Sequence, residues 1–194
     1  MLTLVWNGFD RLKRQPRFAS LDFSNDYAQL ERSLTSLHMQ EITLLWRETA
    51  SAFESFMPQH ESWELQNITL RSARPPSCDL GFVLLSNRRI QWAVEAKVLR
   101  SPGALAEYLA DLQKYLDGSS APFSNESALG AYLVAGISDD VFAEISKRVK
   151  CVLKQHPDFS ERPHRCSEHT RSPEATSRGL SALFVYHHLV FSLN

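Results

Sequence analysis

The sequence predicts an α/β fold in which helices flank a central mixed β-sheet, and three observations predict it. Two apolar runs, Asp79–Leu85 and Ile90–Val98, alternate like strands and are separated by the polar Ser86-Asn87-Arg88, which reads as a hairpin. A helical pattern follows the second run and leads to the short buried run Gly130–Gly136. A strand–helix–strand crossover of this kind should be right-handed and lay that run parallel to the second hairpin strand. Ahead of the hairpin, apolar residues recur at helical spacing from about Asp26 to Met57.

The elements follow in order. Residues 10–20, with Arg11, Lys13, Arg14, Arg17 and Pro16, read as an exposed irregular lead-in. The first helix carries Tyr27, Leu30, Leu34, Leu37, Leu44, Leu45, Ala52, Phe53 and Phe56, with Ser24 or Asn25 as its N-cap and Pro58 as its stop. Trp63 to Leu70 alternates as a strand, and Arg74-Pro75-Pro76-Ser77 turns the chain into the hairpin. After the hairpin, Ser101-Pro102-Gly103 supplies an N-cap and an N1 proline. The helix that follows, with Leu105, Tyr108, Leu109, Leu112 and Leu116 on one face, stops at Gly118. Ser138 caps a further helix facing inward through Val141, Phe142, Ile145, Val149 and Val152. Residues 156–180, rich in Pro, His, Arg and Ser, are expected to form an irregular surface loop, and Leu183–Phe191 a last strand.

At 194 residues the chain is expected to be one domain, residues 1–194, with its core at about 26–137. Its 21 basic and 22 acidic residues give a formal net charge of -1, so no global basic field advertises a non-specific nucleic-acid coat. Three scattered cysteines, Cys78, Cys151 and Cys166, fit a reducing interior better than a disulfide framework. The apolar start is too short for a signal h-region and has no basic stretch before it, and no run approaches a membrane span. A soluble, cytoplasmic protein is expected.

The chemistry concentrates in the hairpin. Alternation puts Gln91, Ala93, Glu95 and Lys97 on one face of the second strand and Ile90, Trp92, Val94, Ala96 and Val98 on the other. A loop of Ser86-Asn87-Arg88, with Asn87 or Arg88 left-handed, sets Leu80 opposite Val94, Phe82 opposite Trp92 and Leu84 opposite Ile90. The same register puts Asp79 beside Glu95, whereas a loop one residue longer sends Asp79 to the other face. Burying bare charges in an apolar strand is costly, so Asp79, Glu95 and Lys97 are expected to serve one site. Two carboxylates and an ammonium aimed at one point suit a divalent cation and an activated water.

An aspartate followed by Glu95-Ala96-Lys97 on paired strands resembles the PD-(D/E)xK nuclease superfamily, the restriction-endonuclease-like phosphodiesterases, over roughly residues 26–137. The motif's proline is displaced: Cys78 stands before Asp79, with Pro75 and Pro76 further back. The resemblance implies a restriction-endonuclease-like core in αβββαβ order, extended here by a C-terminal helix and strand. It implies a nuclease dependent on Mg²⁺ (or Mn²⁺), acting on nucleic acid, most simply DNA, in bacterial genome defence. Asp79 and Glu95 would hold the metal, the Ala96 carbonyl would add a ligand, and Lys97 would position the attacking water. Members often add an acidic residue from the first helix; of Glu31, Glu41 and Glu48, Glu31 is favoured because it shares a stripe with Tyr27, Leu34 and His38. Gln113 would be the amide that some of these nucleases set beside the site. The alternative is a nuclease-fold subunit that only binds or scaffolds, as a homodimer or as partner protein in a multi-subunit system.

A second constellation is His156, His164, Cys166 and His169, with His187-His188 later. His164-x-Cys166-x-x-His169 offers the nitrogen and sulfur that zinc takes, at a spacing that fits no common finger. Arg71, Arg74, Arg88, Arg89, Lys147, Arg148, Lys150 and Lys154 are candidates to line a DNA groove, or simply solvated cations complementing a helix end. There is no Gly-rich phosphate loop and no Gly-x-Ser-x-Gly elbow.

Overall fold

The computed structural model describes residues 1–23, 26–49, 55–63, 77–88, 90–120 and 123–194. Its strands are β1 (Phe56–Trp63), β2 (Ser77–Leu84), β3 (Gln91–Leu99), β4 (Glu126–Leu133), β5 (Lys154–Gln155), β6 (His164–Thr170) and β7 (Leu183–Ser192). The helices are α1 (Leu2–Lys13), α2 (Pro16–Ala19), α3 (Tyr27–Thr49), α4 (Ala106–Leu116), α5 (Ser138–Val149) and α6 (Pro173–Ser177). The described strands form one mixed sheet in the order β1-β2-β3-β4-β7-β6-β5, flanked by helices, so the α/β class and the mixed sheet stand. No helix among the described residues is long and apolar enough to cross a membrane. By packing, the chain divides into two compact units, Met1–Ala93 and Val94–Asn194.

In the first unit α1 replaces the expected irregular lead-in. Val5, Trp6, Phe9 and Leu12 recur at helical spacing and are all buried, so hydrophobic burial rather than propensity orders this segment. α1 lies against α3, where His38 Nε2 donates to the Val5 carbonyl at 2.8 Å. The buried Glu41 carboxylate is held by Arg11 at 2.9 Å and by Arg17. α3 is described to Thr49 and does not reach Met57, which lies in β1; its inward residues include Leu30, Leu34, His38, Glu41 and Ile42, while Leu44 faces solvent. The expected caps, Ser24 and Asn25, lie outside the described residues; Asp26 Oδ1 accepts the Ala28 N–H at 2.9 Å.

Phe56, Met57 and Pro58 belong to β1, not to a helix end, and β1 runs antiparallel to β2 with Met57 opposite Val83. Among the described strands β1 lies at the sheet edge, where a proline is tolerated. Most of the strand expected at Trp63–Leu70 falls outside the described residues. The hairpin register holds where it is described: Leu84 N–H donates to the Ile90 carbonyl at 3.0 Å, and the Phe82 and Trp92 rings lie 5.7 Å apart. Neither Asn87 nor Arg88 is left-handed; the turn closes through Asn87 N–H to Leu84 O (3.2 Å) and Ile90 N–H to Asn87 O (2.9 Å).

The α1–α3 contact yields a test. A Cβ on Gly8 would lie 2.6 Å from Ile42 Cγ1 and 3.3 Å from both Ile42 N and His38 Cδ2. Gly8→Ala gains up to about 1 kcal/mol of helix propensity but overpacks a branched, fully buried neighbour, at about 1–3 kcal/mol. The clash outweighs the propensity gain, so chemical denaturation should show a net loss of stability; a gain would mean that the helices separate freely here.

In the second unit β3 runs parallel to β4, β4 parallel to β7, and β7 antiparallel to β6. The parallel β3–β4 pair matches the expected crossover, although β4 begins at Glu126, ahead of Gly130. α4 starts at Ala106, after a Ser101–Gly103 turn that does not cap it, and Ser138 is the first residue of α5 rather than its cap. The largest departure is at residues 156–180, where the expected irregular loop contains β6 and α6. β6 carries polar residues on both faces and so lacks apolar alternation. Its strand state comes from pairing with β7.

Register then sorts side chains. Glu95, Leu129, His188 and Arg165 align across β3, β4, β7 and β6; the neighbouring row is Val94, Ala128, His187 and Cys166. Paired residues share a face and adjacent rows point oppositely. Glu95 and Lys97 therefore occupy one face of this sheet, and His187 and Cys166 the other.

Candidate functional site

β3 is buried along nearly its whole length, and only Glu95 and Lys97 interrupt the pattern as half-buried positions. A strand covered on both faces can carry charges at its centre only with partners, and α4 supplies them. Lys97 Nζ lies 3.6 Å from Asp111 Oδ2 and donates to the Ala96 carbonyl at 3.0 Å. Asp111, itself 4% exposed, also accepts from Lys114 Nζ at 2.5 Å, which raises the Lys114 pKa. Tyr115 OH donates to Glu95 Oε1 at 3.4 Å. The Ala96 carbonyl, expected as a metal ligand, accepts the Lys97 ammonium here.

Asp111 and Tyr115 are the residues that sequence reasoning missed. They follow Tyr108 at i+3 and i+7, one stripe of α4, and all three are buried. That periodicity was visible, but an aspartate on an apolar stripe is ordinarily assigned to solvent. Gln113 is exposed and takes no part in this face.

Asp79 stands on β2, half-buried between the buried Cys78 and Leu80. Glu31 is half-buried on α3, where its carbonyl accepts the Thr35 hydroxyl at 2.7 Å. Both belong to the first unit, whereas Glu95 and Lys97 belong to the second. Glu41 and Glu48 are engaged by arginines, Glu48 by Arg11 at 2.7 Å. Of the candidate phosphate-contacting cations, Arg71, Arg74 and Arg89 lie outside the described residues. Lys147 and Arg148 pair with Glu144, and Lys154 with Glu168 at 2.7 Å; Lys150 ends α5 in the left-handed conformation, φ 51°.

On the Glu95 face a chain of hydrogen bonds ties α4 to the β6–β7 hairpin. Tyr108 OH meets His188 Nδ1 at 3.0 Å, His188 Nε2 meets Ser167 Oγ at 2.7 Å, and Ser167 Oγ meets His169 Nε2 at 2.6 Å. Burial pushes His188 down to about 3 and also lowers His169, so both rings are neutral near neutral pH. His169, expected beside Cys166, thus belongs to the opposite face.

On that other face His164, Cys166 and His187 converge. Cys166 is the cross-strand partner of His187, and their Sγ and Nδ1 atoms lie 3.3 Å apart. His164 Nε2 is 3.0 Å from the same Nδ1 and 3.9 Å from the sulfur. The His156 ring stacks on His164 with centroids 4.8 Å apart. Glu126, which the sequence did not single out, meets His187 Nε2 at 3.2 Å and has its own pKa lowered by that bond. Burial, then the neighbouring His187, drives His164 down to about 2, and burial followed by Glu126 and Glu168 pushes the Cys166 thiol up to about 11.

Against known proteins, no family model, no curated protein and no solved structure matches this chain.

Proposed function

We propose that this chain is a metal-dependent nuclease that hydrolyses phosphodiester bonds, most simply of DNA in bacterial genome defence, with Mg²⁺ or Mn²⁺ as cofactor. The observation that carries the reading is the half-buried placement of Glu95 and Lys97 on one face of β3, with Tyr115 on Glu95 and Asp111 beside Lys97. Carboxylate oxygens are the donors Mg²⁺ takes, so Glu95 fits the ion; when bound, the ion acidifies a water and offsets phosphate charge. Tyr115 holds one Glu95 oxygen at 3.4 Å and so orients the carboxylate. Lys97, 3.6 Å from Asp111, is a point charge suited to a phosphate oxygen and to the attacking water. Asp79 and Glu31 enter as further metal ligands from the sequence resemblance.

The scaffold alternative also has an observation behind it. The Lys97–Asp111–Lys114 group is internally paired and needs no ligand to be stable. Mg²⁺ separates the readings, and because it prefers oxygen it does not report on the His/Cys face. Thermal melts with EDTA and then with excess Mg²⁺ should show wild type gaining RT ln(1 + [L]/Kd), about 2.7 kcal/mol at a hundredfold excess over Kd. Asp79→Asn and Glu95→Gln should gain much less. Absence of a shift in wild type, or equal shifts in all three proteins, would leave the scaffold.

A further inference from the structure

We propose that His156, His164, Cys166 and His187 bind one Zn²⁺-type transition-metal ion, with Glu126 holding His187 in the tautomer that ligates. The inference is independent of the nuclease reading, since His164, Cys166 and His187 lie on the sheet face opposite Glu95.

The donor set is the first argument. Three imidazoles and one thiol are the nitrogen and sulfur ligands of zinc, and four of them complete a tetrahedron. Distance is the second. Zn–N of about 2.0–2.1 Å and Zn–S of about 2.3 Å place tetrahedral ligand atoms roughly 3.3–3.6 Å apart. The three separations among His164 Nε2, His187 Nδ1 and Cys166 Sγ are 3.0, 3.3 and 3.9 Å, scattered about that range. His156 offers a donor within 4.8 Å of those of Cys166 and His187.

Tautomers supply the third argument. The Glu126 carboxylate at His187 Nε2 takes that nitrogen's proton as a hydrogen bond, leaving the Nδ1 lone pair aimed at Cys166 and His164. A carboxylate behind a ligating histidine is the usual outer-shell device, and it raises ligand basicity. On binding, the Cys166 thiol proton leaves to solvent and His164 moves its proton from Nε2 to Nδ1. His156, whose Nδ1 accepts the Asp158 N–H at 3.2 Å, gives up that exposed bond if it ligates through Nε2. One thiolate and the Glu126 carboxylate then balance the two charges of the ion.

Cys166, His187 and Glu126 also align as nucleophile, base and orienting acid. The crowding argues against that use. His164 meets the same His187 nitrogen at 3.0 Å and the His156 ring stacks over His164, so imidazoles fill the space a substrate carbonyl would need.

The test uses the full chain, stripped with EDTA under reducing conditions, and Co²⁺ as the probe. One equivalent should bind with intense tetrahedral d–d bands and a thiolate-to-cobalt charge-transfer band, and Zn²⁺ should displace it; any further Co²⁺ at the carboxylates would add only weak octahedral bands. Cys166→Ser should remove the charge-transfer band and weaken binding at least about 100-fold, while Cys151→Ser leaves both unchanged. Glu126→Gln should keep the band but weaken binding by about 10–100-fold. If Cys166→Ser fails to fold, wild type still decides, because Zn²⁺ should block alkylation of Cys166 by iodoacetamide. Absence of the tetrahedral bands, a charge-transfer band that survives Cys166→Ser, or alkylation of Cys166 at the same rate with and without Zn²⁺ would overturn the site.

Discussion

Lys97→Met is expected to lower Mg²⁺-dependent cleavage of DNA by at least about 10²-fold while leaving Mg²⁺ binding in place. On the proposed reading the ammonium would act on water and phosphate and not as a ligand, so its loss should appear in turnover and not in the Mg²⁺-induced thermal shift. Methionine keeps an unbranched stem in the half-buried position. Asp111 loses its contact at 3.6 Å but retains Lys114 at 2.5 Å, so the variant should fold. A double-mutant cycle separates catalysis from support. Asp111→Asn added to Lys97→Met should recover whatever stability the single change costs, because no buried carboxylate is then left short of cations, yet activity should stay lost. Equal cleavage by wild type and Lys97→Met would assign the activity elsewhere or to a contaminant.

Acid should weaken the protein through His38. Burial holds this ring's pKa down to about 4 from its ordinary 6.5, against the opposing pull of the Val5 carbonyl. The unfolded chain therefore takes up the proton first as pH falls. The stability from keeping His38 neutral is complete above about 6.5, is lost as pH drops from there to about 4, and changes no further below. At 1.36 kcal/mol per pKa unit, the loss is roughly 3 kcal/mol. His38→Gln keeps an amide donor for the Val5 carbonyl, 2.8 Å from His38 Nε2, and removes the titration. Denaturant unfolding across this pH range should show a shallower acid loss in the variant than in wild type. Parallel pH profiles would refute the assignment, whatever the other histidines contribute, since those are common to both proteins.

Several features were legible because they rest on local pattern. The hairpin register followed from matching apolar faces, and the Leu84–Ile90 bond and the Phe82–Trp92 contact agree with it. The parallel β3–β4 pair followed from the intervening helix. The inward charges of β3 were readable as charges in need of partners. Other features misled. Phe56 and Met57 suit a helix end as well as a strand, since short apolar runs do not separate the two periods. α1 was overlooked although Val5, Trp6, Phe9 and Leu12 carry its period, because its basic C-terminal end read as solvated coil.

By itself the sequence determined the α/β class, the mixed sheet, the hairpin pairing and the placement of Glu95 and Lys97 on one face of a covered strand. Those properties depend on alternation and on connection length, both written along the chain. Tertiary structure alone decided that Asp111 and Tyr115 serve Glu95 and Lys97, that β6 is a strand, and that Cys166 meets His187, a residue 21 positions away. β6 is polar on both faces, so hydrogen bonding to β7, joined at Lys154–Gln155 by β5, orders it. Which histidines then converge is set by the parity of that register, and a shift of one residue would exchange His187 for His188.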